Sequence, residues 1–166
     1  MGKTSFTLRP FLASDTHALR ELFAQSIDVL CAEDYDEDQR AAWISAVEDA
    51  TLFGQRLAGC LTILAEGGGE TLGFASLKDN TVIDMLYIHP HAAGQGIGTG
   101  LMDALERLAV ARGSAALTAE VSDTALPFFT KRGFVGIHRN AKPLGDVWLS
   151  NTSMKKQLTP PPKATA

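Results

Sequence analysis

The sequence predicts a single domain of mixed α/β class, with helices flanking a mostly antiparallel central sheet. In the first third of the chain, apolar residues recur at three- and four-residue spacings, which is typical of helices that bury one face. From residue 60 onward, short apolar runs alternate with turn residues, which is typical of strands. A length of 166 residues and a hydrophobic fraction of 45% suit one domain with a substantial core.

The first elements are a strand and two helices, followed by one or two further helical turns at Leu52 to Leu57, after which Gly59 could take a left-handed conformation. The segment from Thr4 to Arg9 alternates polar and apolar residues, which predicts a half-buried strand that ends at Pro10. Asp15 is a favourable N-cap for a helix, which has an apolar face formed by Leu19, Leu22, Phe23 and Ile27. The segment from Tyr35 to Ala50 begins with three acids, which favour a helix N-terminus, and predicts a second helix.

The remaining elements are six strands and two helices, which brings the sheet to about seven strands. A helix follows the glycine-rich segment at 94–100, and a short one ends before Gly133. The six predicted strands are 60–66, 71–77, 81–88, 116–121, 134–139 and 147–154.

Composition excludes several classes of function. The net charge of −4 and the scattered basic residues argue against nucleic-acid binding, so we expect a small-molecule partner. The longest apolar stretches have the length of a strand, and no apolar run follows the N-terminus, so we expect no membrane association and a cytoplasmic location. Cys31 and Cys60 have no neighbouring metal-ligand pattern and are interpreted as core thiols. We expect the domain to occupy residues 1–158, followed by an extended proline-rich tail, 159–166.

The segment Gly94-Gln95-Gly96-Ile97-Gly98-Thr99-Gly100 connects a predicted strand to a predicted helix. Backbone N–H groups at a helix N-terminus attract anions, and glycine lets the backbone approach a phosphate closely. A P-loop would require Gly-Lys-Ser/Thr at the end of this turn, and a dinucleotide fingerprint would require a preceding βαβ unit. Neither pattern is present here, so another phosphate-containing ligand is favoured over both.

Two motifs resemble those of the GNAT N-acetyltransferase superfamily. The first is Leu86-Tyr87-Ile88-His89-Pro90 followed by the glycine turn, and the second is Phe128 to Phe134 after Ser122. The segments Ile83 to Leu86 and Tyr35 to Trp43 are similar to the YafP-like branch of these acetyltransferases.

This resemblance implies that acetyl-CoA, the acetyl donor, lies in a wedge where strands four and five splay apart. The pantetheine would pair with the backbone of Leu86, Tyr87 and Ile88, and the pyrophosphate would meet the N–H groups of the glycine turn. The residues expected to bind this cofactor are Leu86, Tyr87, Ile88, Gly94, Gln95, Gly96, Ile97, Gly98, Thr99, Gly100, Ser122 and Phe128.

The chain departs from the family pattern at two positions. Ala93 stands where the family motif begins with Arg or Gln, so phosphate binding would depend on backbone N–H groups. Phe129 stands where the family often has the tyrosine that protonates the departing thiolate, so another group or water must take that role.

Transfer to an amine requires a base, because an alkylamine with a pKa of about 10 is protonated near neutral pH. Asp84 is the first candidate, since the family often has an acid there, and alternation predicts that it shares a face with Leu86 and Ile88. Glu120, on strand five, is the second. Asp84 and Glu120 could instead be solvated or capping carboxylates. Tyr87 would face away from Asp84 unless a bulge intervenes.

Tyr35, Gln39 and Trp43 fall at four-residue spacing on one predicted helix face, where they could line an acceptor pocket or pack on the core. Trp148 on the last strand is equally open to both interpretations. His89, His91 and His138 are interpreted as surface or hydrogen-bonded histidines, and no metal site is expected.

Three functions follow as hypotheses. The first is N-acetyl transfer from acetyl-CoA to a primary amine of a small molecule or peptide, by direct attack in a ternary complex. The alternatives are a coenzyme A-binding sensor without turnover and a small interaction domain that uses the sheet edge. The acceptor and the oligomeric state stay open, and a homodimer is compatible with the sequence.

Overall fold

The structure, a computed structural model, describes residues 4–159. The chain forms a mixed α/β domain with seven strands and five α-helices among these residues. The elements in chain order are β1 (Thr7–Pro10), α1 (Thr16–Leu30), α2 (Glu37–Ile44), α3 (Ala50–Ala58), β2 (Leu61–Gly67), β3 (Glu70–Lys78), β4 (Val82–Ile88), α4 (Ile97–Ala111), β5 (Ala116–Ser122), α5 (Leu126–Lys131), β6 (Val135–Leu144) and β7 (Val147–Gln157).

The strands form one sheet in the order β1-β2-β3-β4-β5-β7-β6. All neighbouring pairs are antiparallel except β4 and β5, which run parallel. This arrangement confirms the predicted mixed fold class and mostly antiparallel seven-stranded sheet. Within residues 4–159, no helix is long and apolar enough to cross a bilayer.

The two faces of the sheet carry separate apolar cores. On one face α4 buries Leu101 and Leu105 against β5 residues such as Leu117. On the other face α1 and α3 bury Phe23 and Phe53 against the sheet. The alternation of side chains along β4 divides its residues between these cores, with Leu86 and Ile88 on the α4 face and Met85 and Tyr87 on the α1 face.

The N-terminal helices differ from the sequence expectation in two respects. Asp15 does not cap α1, because its carboxylate accepts the Leu12 N–H at 2.7 Å and pairs with Arg9. The predicted helix from Tyr35 to Ala50 is shorter, since α2 begins after Asp36 and ends at Ile44. Asp36 and Gln39 form a reciprocal capping box that fixes this start, which leaves Tyr35 outside the helix.

Leu158, the predicted last residue of the domain, is buried, and its N–H donates to the Ala115 carbonyl at 2.8 Å. The predicted tail beyond Thr159 lies outside the described residues.

Gly73 on β3 permits the close packing of β4 and α4. A Cβ atom there would lie 2.9 Å from Ile88 Cδ1, 3.0 Å from Ile97 Cγ2 and 3.1 Å from the Tyr87 carbonyl oxygen. We expect Gly73→Ala to lower the free energy of unfolding by about 1–3 kcal/mol, since the added methyl group would overpack this core. Urea denaturation measures the change. Gly136→Ala on β6 is the matched control, because its Cβ would meet only Thr152 Cγ2, at 3.5 Å. Equal stabilities for the two variants would contradict this account of the packing.

Candidate functional site

The site begins where β4 and β5 separate. These parallel strands pair only through Val82↔Thr118 and Ile83↔Ala119, after which they diverge. The residues of β4 from Leu86 to Ile88 remain paired with β3 on their other side. A strand edge of this kind presents backbone donors and acceptors to any ligand that contains amide groups.

A cavity of about 490 Å³ lies in this opening. The C-terminal part of α1 and the residue that follows it close one side with Ser26, Leu30 and Cys31. The loop after β5 contributes Thr124 and Ala125. Ten of the residues predicted to bind a cofactor line this one cavity: Leu86, Tyr87, Ile88, Gly94, Gly96, Ile97, Gly98, Thr99, Ser122 and Phe128.

The glycine turn places the N-terminus of α4 at the cavity wall. Gly94 and Gly96 have φ values of 75° and 86°, in the left-handed region that favours glycine. The Gly100 N–H donates to the Gly96 carbonyl at 3.0 Å, so the N–H groups of 97–99 precede the hydrogen-bond ladder of the helix. These donors and the positive end of the helix dipole together suit a bound anion.

Gln95 and Gly100 do not line the cavity, contrary to the sequence expectation. The Gln95 side chain contacts Thr4 and donates to the His91 carbonyl at 2.9 Å. A Cβ atom on Gly100 would lie 2.5 Å from Phe6 Cζ, so this glycine lets the N-terminal segment pack on α4. The glycine pattern therefore combines a turn that faces the cavity with one packing position.

Asp84 lies on the face opposite to the predicted one. The β3–β4 register passes from Ser76↔Met85 to Leu77↔Ile83, so Asp84 is the extra residue of a β-bulge. Its two carboxylate oxygens accept hydrogen bonds from Arg56 of α3, at 2.8 and 3.1 Å. Asp84 thus points toward α3, on the same face as Tyr87, and lines neither this cavity nor the one beside it.

A second cavity, of about 240 Å³, adjoins the first and shares Tyr87 and Ser122 with it. Glu120 lines this cavity together with Arg56 and Lys142. Asn140 of β6 lies beside the Glu120 carboxylate, with its Nδ2 at 3.4 Å from Oε2 and at 2.8 Å from Ser153 Oγ. This contact is a long one, and Glu120 itself is exposed.

Of the predicted acceptor residues, Tyr35 and Trp43 line the second cavity, with ring centroids 5.4 Å apart. Gln39 and Trp148 lie outside it, where Gln39 Nε2 donates to the Trp148 carbonyl at 2.8 Å and the indole is 61% exposed. This contact connects α2 to β7 near the cavity.

The aromatic groups at the site have distinct environments. Burial raises the pKa of Tyr87, which keeps the phenol protonated where the two cavities meet. Phe129 packs in the α4-side core, with its ring centroid 5.0 Å from that of Phe134, and does not line either cavity.

Several lining residues were missed or misassigned at the level of sequence. Cys31, interpreted as a core thiol, is buried but lines the first cavity, and Cys60 is only partly buried. Ser26 and Leu30 belong to the apolar stripe of α1, which carries no signal that its last turn reaches a cavity. Among residues 4–159, no cluster of three or more His, Cys, Asp or Glu side chains could hold a metal ion.

A sheet opened between its parallel strands, with a glycine turn at the opening, agrees with the wedge that the resemblance to acetyltransferases implies. The chain belongs to the GNAT acetyltransferase family, since the sequence model of the Acetyltransferase (GNAT) domain matches residues 31–158. It is 25% identical over 148 residues to the uncharacterised N-acetyltransferase YafP of Escherichia coli strain K12, covering 89% of this chain and 93% of YafP.

Solved structures agree with this assignment. A GCN5-related N-acetyltransferase from Rhodopseudomonas palustris is 47% identical, with a TM-score of 0.91 over 95% of this chain and 99% of that one. The PaiA N-acetyltransferase of Thermoplasma acidophilum, in complex with coenzyme A, is 20% identical, with a TM-score of 0.78 over 93% and 99%. YncA of Salmonella typhimurium, with its cofactor acetyl-CoA, is 22% identical, with a TM-score of 0.65 over 98% and 99%.

Tyr35 connects three segments around the site. Its hydroxyl donates to the Ser150 carbonyl at 2.7 Å and accepts the Asp123 N–H at 2.9 Å. We expect Tyr35→Phe to lower the free energy of unfolding by about 1–3 kcal/mol, because both backbone groups lose a partner in a partly buried setting. The control is Ser45→Ala, which removes an exposed hydrogen bond to the Ala42 carbonyl. Urea denaturation measures both variants. If Tyr35→Phe loses no more stability than the control, water replaces the phenol hydroxyl as the hydrogen-bond partner.

Proposed function

We propose that this chain is an N-acetyltransferase that transfers the acetyl group of acetyl-CoA to a primary amine of a small molecule or peptide, by direct attack in a ternary complex. One observation carries the proposal: a cavity bordered by the glycine turn opens beside a second, acid-containing cavity, and the two share Tyr87 and Ser122. Donor and acceptor could therefore occupy adjoining spaces without a covalent intermediate on the protein.

The first cavity suits coenzyme A in both shape and chemistry. The N–H groups of 97–99 would bind the pyrophosphate, and the free edge of β4 at 86–88 would pair with the pantetheine amides. Ala93 adds no cation, so this anion site depends on the backbone. The structures of PaiA with coenzyme A and YncA with acetyl-CoA support the same ligand for this fold.

Acetyl-CoA supplies an activated thioester carbonyl, and the protein must provide for the proton and the leaving group. The N–C bond forms as the C–S bond breaks, the amine loses one proton, and the sulfur leaves as a thiolate that is finally protonated to the thiol. The chain must therefore accept a proton near the acceptor nitrogen and stabilise negative charge on the sulfur.

Glu120 is the better placed of the two candidate bases. Its carboxylate lines the second cavity on the face that carries Tyr87. Asp84 has both oxygens engaged by Arg56 and faces neither cavity, so its role in this proposal is to hold Arg56 in place. Glu120 would take the amine proton directly or through water.

Tyr87 is the group best placed to stabilise the departing thiolate, since Phe129 is buried elsewhere. A cysteine-like thiol has a pKa of about 8.5, below the ordinary tyrosine value of about 10. Burial raises the pKa of Tyr87 further, so the proton stays on the phenol. Tyr87 therefore acts as a hydrogen-bond donor, and water supplies the final proton.

The two carboxylates can be separated by isosteric substitution. We expect Glu120→Gln to lower kcat by about 10²–10⁴-fold, since the amide cannot accept the amine proton. Asp84→Asn should lower kcat less than about tenfold, because it acts only through Arg56. Thiol release with an amine library gives kcat, and calorimetry should show unchanged acetyl-CoA affinity in both variants. The reverse order of effects would make Asp84 the base.

The same assay tests the alternative of a coenzyme A-binding module without turnover, which the replacement of the family tyrosine by Phe129 favours. Tight acetyl-CoA binding with no thiol release from any amine would establish that alternative.

The glycine turn can be tested with the two glycines that flank α4. We expect Gly96→Ala to weaken acetyl-CoA binding at least about tenfold, because leaving the left-handed region moves N–H donors whose charge-assisted bonds each contribute about 1.5–3 kcal/mol. Gly113→Ala, at the other end of α4 with φ of 87°, carries the same backbone strain away from the cavity. Calorimetry on both variants measures the affinity, and an equal loss in both would contradict the assignment of the turn.

A further inference from the structure

The charges that line the second cavity limit the acceptors that it could take. Its lining contains two cations, Arg56 and Lys142, and one acid, Glu120. A site built for polyamines or for lysine-rich peptides would need an excess of acids to compensate the additional positive charge. This lining disfavours such acceptors.

Lys142 is exposed, and it is the lining cation for which residues 4–159 provide no ion-pair partner. Asp84 neutralises Arg56 through the paired hydrogen bonds described above. Within the part of the chain that the structure describes, none of the ion pairs includes Lys142. A lysine that faces a cavity without a counter-ion provides a binding point for an anionic group of a ligand.

The sheet register fixes the relation between Lys142 and Glu120. Glu120 is opposite Ser153 on β7, and Lys142 is opposite Leu149, so both point to the same face. Their β7 partners are four residues apart, which corresponds to about 13 Å along the strand. The two side chains therefore reach into the cavity from opposite ends, and a ligand that meets both must have its two polar groups several bonds apart.

The space between these charges has aromatic and aliphatic walls. Tyr35, Trp43 and Tyr87 contribute rings, and Leu144 and Leu149 contribute aliphatic groups. An apolar spacer would bury its surface there.

We propose that the acceptor is an amino acid in which an apolar spacer separates a primary amine from a carboxylate, with the amine at Glu120 and the carboxylate at Lys142. This inference rests on the proposed function, and the products are the N-acetylated acid and free coenzyme A. Lys142 determines specificity by its charge and takes no part in proton transfer.

The test compares matched acceptors that differ only in the anionic group. One suitable pair is para-aminomethylbenzoate with benzylamine. The other is the aminopentanoate that carries its amine on the terminal carbon, with pentylamine. Thiol release with saturating acetyl-CoA gives kcat/KM for each member. We expect the carboxylate-bearing member of each pair to be preferred by at least about tenfold, as for a charge-assisted hydrogen bond. Equal or better use of the amines that lack the carboxylate would overturn the inference and leave the proposed function intact.

Two variants assign the preference to Lys142. Lys142→Met should reduce the ratio of kcat/KM values within each pair by about tenfold, and Lys142→Glu should favour diamines instead. The control is Lys155→Met, because Lys155 is exposed on the same sheet face, opposite Thr118, and lines neither of the two cavities. An unchanged ratio in Lys142→Met would exclude this residue as the determinant.

A binding measurement separates the inference from the proposed function. Trp43 lines the cavity, so tryptophan fluorescence with coenzyme A present reports binding of each acceptor. Selective binding of the carboxylates that is weakened in Lys142→Met, without thiol release, would support the ligand class and overturn acetyl transfer. Absence of selective binding and of selective turnover would overturn the inference.

Discussion

The divergence of β4 and β5 is the constraint on which the site depends. Parallel neighbours would normally continue their hydrogen bonds along the whole strand, but here the ladder stops after Ile83↔Ala119. The backbone groups beyond that point need other partners, because unpaired polar groups cost free energy when they are buried. Cavity walls from α1, α4 and the loop after β5 enclose the opening. The Tyr35 hydroxyl links β7 to the residue after β5, because it donates to the Ser150 carbonyl and accepts the Asp123 N–H.

The bulge at Asp84 lies at the point of divergence. An extra residue in β4 increases the local twist and turns the strand away from β5, immediately after the last paired residue. The bulge also brings the Asp84 carboxylate to the α3 side, where Arg56 compensates its charge. One irregularity in the strand therefore accompanies both the opening of the wedge and the position of Arg56 in the lining of the second cavity.

Features set by residues close together in the chain could be predicted from the sequence, whereas features set by contacts between distant segments could not. The helical and strand periodicities and the glycine turn are local patterns, and the periodicities predicted the mixed fold class correctly. The predicted turn borders the first cavity. The face of Asp84 could not be predicted by alternation, because a bulge depends on pairing with Ser76 and Leu77 of another strand. Likewise, Gly100 looks like part of the phosphate turn, and only its contact with Phe6 shows that it is a packing position.

The two cavities also differ in how they would recognise ligands. The first is bordered by backbone groups of the glycine turn and of β4, which depend on glycine conformation and strand geometry, so a family motif identifies them in the sequence. The second is formed by side chains from before α2 to β7, including Tyr35, Glu120 and Lys142, which are distant in the chain. A backbone site tolerates the loss of a side chain such as the one missing at Ala93, whereas each substitution in a side-chain site changes the charge or shape that a ligand meets. This difference explains why the sequence points to the acetyl donor while the acceptor has to be inferred from the assembled structure.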